Sequence, residues 1–235
     1  MTANLSRRIA AEFVATGFLV AAVVGSGIMA ERLAGGNVAI ALLANTIATG
    51  AALAALILTF GPISGAHLNP AVSVADALEH GLGWRDAGAY VVAQCLGGIG
   101  GAIAAHAMYG LPVVSLSQHA RSGGAQVFSE FVATFGLLCV IWGCSRTRSS
   151  PVPFAVAAYI TAAYWFTAST SFANPAVTIA RCLSDTFAGI RPGDVVWFVM
   201  AQLAGAIVAT LLFRWLVPGI RADRVVVERE GFSRT

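Results

Sequence analysis

Ile63-Ser64-Gly65-Ala66-His67-Leu68-Asn69-Pro70-Ala71-Val72 in the first half of the chain and Ser169-Thr170-Ser171-Phe172-Ala173-Asn174-Pro175-Ala176-Val177 in the second share the tetrapeptide Asn-Pro-Ala-Val. Asparagine is a strong helix N-cap, and proline suits the first helical position, where its missing N–H would have had no partner. Each Asn-Pro therefore reads as a helix start. Each copy ends an interrupted apolar stretch and is followed by an apolar piece of about ten residues, too short to cross about 30 Å of hydrocarbon. Paired interrupted segments in the two halves of a membrane protein point to a transport site.

The rest of the chain agrees that the solvent is a bilayer. Of 235 residues 57% are hydrophobic and 11% charged, with a mean hydropathy of +0.78, far from the mix of a soluble domain. All 14 basic residues are arginines, and they gather outside the apolar runs. The net charge of +3 thus reflects membrane topology rather than a nucleic-acid-binding face. Cys95, Cys139, Cys144 and Cys182 lie in or beside apolar runs, without zinc or disulfide spacing, and read as packing residues. No pattern implies a metal, a cofactor or enzyme chemistry.

Six runs, near 8–30, 37–60, 86–109, 126–145, 152–170 and 194–217, are each long enough to span as a helix. An internal repeat orders them: Glu12-Phe13-Val14-Ala15-Thr16 recurs as Glu130-Phe131-Val132-Ala133-Thr134, the two boxes follow, and Ala93-Gln94 recurs as Ala201-Gln202. Arg7 and Arg8 before the first run resemble a signal peptide, but cleavage would destroy the repeat, so retention is expected. Three spans per half is an odd number, so the second half enters from the opposite side and the repeats are inverted. The expected architecture is an all-α membrane protein with six transmembrane helices, two re-entrant half-helices and an inverted internal repeat. It forms one channel domain over 1–235, with repeat one about 6–109, repeat two about 125–217 and a charged tail 218–235.

Arginine placement sets the orientation. Arg7, Arg8, Arg85, Arg146, Arg148 and the tail arginines Arg221, Arg224, Arg229 and Arg234 fall on one side, which is expected to be cytoplasmic and to hold both termini. Arg32, Arg121 and Arg191 face outward.

Two short helices meeting N-terminus to N-terminus at mid-membrane each present about half a positive charge, a barrier to cations and protons. Asn69, Pro70, Ala71, Asn174, Pro175 and Ala176 are the expected central constriction, with both asparagine amides donating into the lumen. Non-helical backbone at membrane depth is tolerated where it lines a wet cavity. The carbonyls of Gly65, Ala66, His67, Thr170, Ser171 and Phe172 are therefore expected to form an acceptor ladder. The cluster Gly97-Gly98-Ile99-Gly100-Gly101 reads as helix packing. Glu12 and Glu130 are costly inside a membrane and are functional candidates by default.

With inverted repeats, two boxes in register and a glutamate in the first span of each half, the chain resembles the aquaporins of the major intrinsic protein family over roughly residues 6–217. The resemblance implies that Glu12 and Glu130 hydrogen-bond the re-entrant loops, that His67 packs within its loop, and that the protein is a homotetramer with a pore in every protomer. It also implies a selectivity filter at four positions, here Thr49, Ala162, Ser171 and Val177, the last replacing the family's usual arginine. Small uncharged side chains at all four would make a wide neck without guanidinium donors. In this the chain resembles bacterial aquaglyceroporin-like channels associated with arsenic resistance, whose solutes are trivalent and methylated arsenicals.

Arg181, one turn outward on the face of Val177, either supplies charge to the vestibule, pairs with Asp185 at i+4, or snorkels to the outer headgroups. Cys182 offers arsenic a thiolate or simply packs. The expected function is passive conduction of water, glycerol-like polyols and arsenicals across the inner (plasma) membrane. A water-selective pore and a coupled secondary transporter are the alternatives.

Overall fold

The computed structural model describes residues 3–146 and 150–217; Arg148 and the tail 218–235 lie outside the described residues. Eight helices follow in order: α1 (Leu5–Leu33), α2 (Val38–Ser64), α3 (Pro70–Leu78), α4 (Trp84–Met108), α5 (Gly124–Ser145), α6 (Val152–Phe166), α7 (Pro175–Arg181) and α8 (Pro192–Leu216). Five of them, α1, α2, α4, α5 and α8, are long and apolar enough to cross a membrane. The sixth, α6, is shorter than its expected run because the chain leaves the helix at Thr167, whose backbone is extended, and turns directly into the second re-entrant segment. The half-helices α3 and α7 begin at Pro70 and Pro175, capped by Asn69 and Asn174.

The inverted repeat is visible in which helices touch. α1 packs on α4 as α5 packs on α8, α1 on α2 as α5 on α6, and each half-helix leans on the last helix of the opposite half, α3 on α8 and α7 on α4. Close approach is bought by glycine at the two principal crossings. A Cβ on Gly97 or Gly101 would stand 2.2 or 2.1 Å from the carbonyl oxygens of Phe13 or Gly17 across the α1–α4 contact. On Gly205 it would stand 2.5 Å from Phe131 O across α5–α8. The glycine cluster thus serves helix packing, which in lipid depends on intimate contact rather than on a hydrophobic driving force.

Polar ties close both ends. At the end carrying the N-terminus, Arg8 pairs with Asp86 at 3.2 Å. Nearby Arg146 and Arg214 both grip Glu79, at the foot of α3, Arg146 at 2.8 Å. At the opposite end the Arg121 guanidinium donates to Gly189 O and Ser169 O, and its backbone N–H to Asp194. His119 belongs to the same loop, where burial, with Arg121 and Arg181 nearby, holds its imidazole below the ordinary range.

Candidate functional site

Between each long helix and its half-helix the backbone runs through left-handed conformations. Positive φ occurs at Gly65, Ala66 and Leu68 before the first box and at Thr170, Ser171 and Ala173 before the second. Five of these six are not glycine, and a residue other than glycine in this region costs on the order of 1–2 kcal/mol. Such backbone persists only where its surroundings over-determine it.

The surroundings are two carboxylates. Glu12 accepts from the N–H of His67 at 3.0 Å and of Leu68 at 2.7 Å, and Glu130 from the N–H of Phe172 at 2.9 Å and of Ala173 at 2.8 Å. Gln94 then donates to Glu12 at 2.8 Å and to Ser73 at 3.0 Å, as Gln202 donates to Glu130 at 2.6 Å and to Thr178 at 2.8 Å. Ser73 and Thr178 finally donate to the carbonyls of Asn69 and Asn174. A completely buried network thus runs from each half's first helix through its loop to its box. The glutamates were legible as candidates. The glutamines served only as markers of the repeat, although the recurrence of Ala-Gln after each box was the available signal.

The asparagines differ from expectation in one respect. Each side-chain oxygen caps its own half-helix, accepting from Ala71 N and Ala176 N at 2.9 Å. Each amide nitrogen, rather than donating wholly into the lumen, spends one N–H on the opposite half: Asn69 on Ala173 O at 2.8 Å and Asn174 on Leu68 O at 2.7 Å. An amide carries two donors, so one per asparagine remains for the lumen. Both asparagines border the central cavity.

That cavity, of about 60 Å³, lies along the axis between the two halves. A water centre needs about 10–15 Å³, so it holds a short file of molecules and no more. Aliphatic side chains form most of its wall, among them Val72 and Val177, each three residues after its asparagine. Of the loop residues, Ala66, His67, Ser171 and Phe172 border it, while Gly65 and Thr170 do not.

Of the four residues expected at the filter, Thr49, Ser171 and Val177 reach the cavity, but Ala162 does not. Ala162 lies on the exposed face of α6, and the cavity is met by Ile160 and Tyr164. The spacing that placed Ala162 had no motif in this run to anchor it, and α6 ends at Phe166, short of the expected run to 170. The neck is therefore not built of small side chains alone. Tyr164 reaches across it, its hydroxyl 3.2 Å from Thr49 Oγ1. Ser171 Oγ is buried and, among the described residues, has no hydrogen-bond partner, so it is free for a molecule in the pore.

Arg181 reaches the same cavity. It is 2% exposed, which excludes snorkelling to the headgroups, and the described residues contain no Arg181–Asp185 ion pair; Asp185 instead accepts from Gln118 N. Cys182 packs partly buried beside Phe172, Ile190 and Phe198. His67 contacts Ser73 at 3.0 Å and Asp76 at 3.4 Å, consistent with a loop-packing role. Among the described residues no three His, Cys, Asp or Glu side chains cluster as a metal would require.

Comparison with known proteins fits this geometry. The family model described as "Major intrinsic protein" matches residues 1–153 and 145–233. The chain is 55% identical over 218 residues to aquaglyceroporin AqpS of Rhizobium meliloti, covering 93% of each. It is 32% identical to aquaporin A of Dictyostelium discoideum, covering 94% of this chain and 81% of that protein. Among solved structures, the X-ray structure of the aquaglyceroporin from Plasmodium falciparum superposes with a TM-score of 0.72 over 92% of this chain and 99% of that one, at 20% identity, a likeness of fold.

Proposed function

Since the chain belongs to the major intrinsic protein family and is a multi-pass membrane channel rather than an enzyme, we propose that it conducts small neutral solutes larger than water as well as water itself. Glycerol-like polyols and trivalent and methylated arsenicals are the candidate solutes, each driven by its own gradient. The observation that carries the reading is Val177, an isopropyl group bordering the cavity three residues after Asn174, where the family commonly places a guanidinium. A side chain without charge or donors at that point removes the tight polar collar that suits water alone. The likeness to a protein named an aquaglyceroporin supports the same solute class.

In this reading the filter consists of Thr49, Tyr164, Ser171 and Val177, with Tyr164 in place of Ala162. Asn69, Pro70, Ala71, Asn174, Pro175 and Ala176 form the central constriction, and the opposed half-helix N-termini repel cations there. Glu12 and Glu130 act as scaffolds for the loops. The domain comprises the whole chain, in the inner (plasma) membrane with both termini cytoplasmic, an orientation supported by the clustering of Arg7, Arg8, Arg85, Arg146 and Arg214 at one end. Exposed apolar side chains such as Phe18, Val92 and Trp197 suit lipid contact and assembly into a homotetramer.

Purified protein in proteoliposomes tests the reading by stopped-flow light scattering. Fast shrinkage followed by re-swelling in glycerol and in methylarsenite supports it. Fast water flux with exclusion of both would leave a water-selective pore.

A further inference from the structure

Removing the guanidinium from the position of Val177 leaves open what supplies charged donors to the outer neck. Arg181 lies four residues later on the same helical face, about 6 Å farther out. Its Nε donates to the carbonyl of Ala188, and its guanidinium carbon lies 3.4 Å from the centre of the Phe172 ring. Arg121, from the outer loop, approaches the same ring at 4.9 Å. Phe172 is thus approached by two guanidinium groups, and its own ring packs edge-on against Phe198 at 5.3 Å.

The repeat specifies this place. Asp76 and Arg181 each stand seven residues after their asparagine, and His67 and Phe172 each stand two before. In the first half Asp76 contacts the His67 ring, which packs edge-on against Tyr90 at 5.3 Å. In the second half Arg181 stacks on the Phe172 ring, packed against Phe198 at the same separation. The fold therefore brings an ionisable side chain against a ring at corresponding points of the two halves. Of the two, Arg181 borders the cavity and Asp76 does not.

A guanidinium has five N–H donors. Nε uses one, and among the described residues neither terminal nitrogen makes a hydrogen bond, although the side chain is 2% exposed. Dry burial of four unpaired charged donors would be costly, so these groups need molecules in the pore as partners. The nearby Ser171 Oγ is likewise without a partner.

We propose that Arg181 is the charged filter residue of this channel, displaced one helical turn outward from Val177. It donates, together with Ser171, to neutral solutes bearing two or more oxygens, and it repels cations before they reach the asparagines. The inference rests on the solute-channel reading above and adds a residue to it.

The test uses full-length protein in proteoliposomes, measuring water flux, glycerol flux and proton and potassium leak for wild type, Arg181→Met and Arg181→Lys. Arg181→Met is expected to raise proton and potassium leak and to shift the glycerol-to-water flux ratio, each by about tenfold, the scale of a lost charge-assisted contact. Arg181→Lys is expected to keep cation exclusion, since the charge remains, and yet shift the ratio, since the planar fork is gone. A structural role alone would not separate the two readouts in this way. If Arg181→Met fails to assemble, Arg181→Lys decides: an unchanged ratio overturns the proposal. Unchanged ratio and leak in both variants, with Val177→Arg still altering solute choice, overturns the role of Arg181 and leaves the solute-channel reading standing. No change in any of the three overturns both.

Discussion

Asn69 and Asn174 each hold the other's loop: the amide of Asn69 donates to Ala173 O at 2.8 Å and that of Asn174 to Leu68 O at 2.7 Å. The meeting point of the two half-helices is therefore a two-way clasp as well as a pair of helix caps. In Asn174→Asp the carboxylate still caps α7 but cannot donate, leaving Leu68 O buried without its partner. The expected cost is about 1–3 kcal/mol. The added negative charge also weakens the cation barrier, so thermal unfolding in detergent should fall by several degrees and proton leak should rise. An unaltered melting temperature would contradict the clasp.

Glu130 braces two backbone N–H groups in strained left-handed backbone and is completely buried. Glu130→Ala removes both acceptors and the partner of Gln202, and is expected to cost on the order of 3 kcal/mol or more, with loss of solute flux as the loop relaxes. Glu130→Gln keeps one acceptor oxygen and should lie between wild type and alanine in both flux and thermal stability. Equal behaviour of the two variants would remove the bracing role.

Much of this was readable in the chain because the repeat does the work of an alignment. Asn-Pro twice, in inverted halves, fixes the two half-helix starts, and Glu12 and Glu130 stand out because a carboxylate in lipid demands a partner. What could not be read depended on where a helix stops. Ala162 was placed inward on spacing alone, whereas α6 ends at Phe166 and turns Tyr164 to the cavity. The cross-bracing of the asparagines was also hidden, since it joins residues far apart in sequence through carbonyls that carry no side-chain signature. The position of Arg181 on Phe172 required the loop to be folded first.

Gly101 faces Gly17 across the α1–α4 crossing with no room for a side chain. Gly101→Leu must push the helices apart or distort one of them, at a cost of roughly 1–3 kcal/mol or more. The expected outcome is reduced membrane yield and a broadened elution profile, while Gly88→Ala, where an added Cβ meets nothing within 4 Å, behaves as wild type. Indistinguishable yields would show that the crossing is looser than described.

Tyr164 and Thr49 meet through their hydroxyls at the cavity wall. Tyr164→Ala is expected to raise glycerol flux several-fold with a smaller gain in water flux, because the lost volume matters most to the larger solute. Ala162→Leu should leave both fluxes unchanged, as its side chain lies on the exposed face. A response to Ala162→Leu and none to Tyr164→Ala would put Ala162, not Tyr164, at the filter.

The central claim, that the uncharged Val177 side chain sets a neck open to solutes beyond water, is tested most directly by glycerol and water flux through Val177→Arg and wild-type protein in the same proteoliposome preparation. Fast glycerol flux is expected in wild type, with at least about a tenfold fall in the glycerol-to-water ratio in Val177→Arg and a far smaller change in water flux. An unchanged ratio would contradict it.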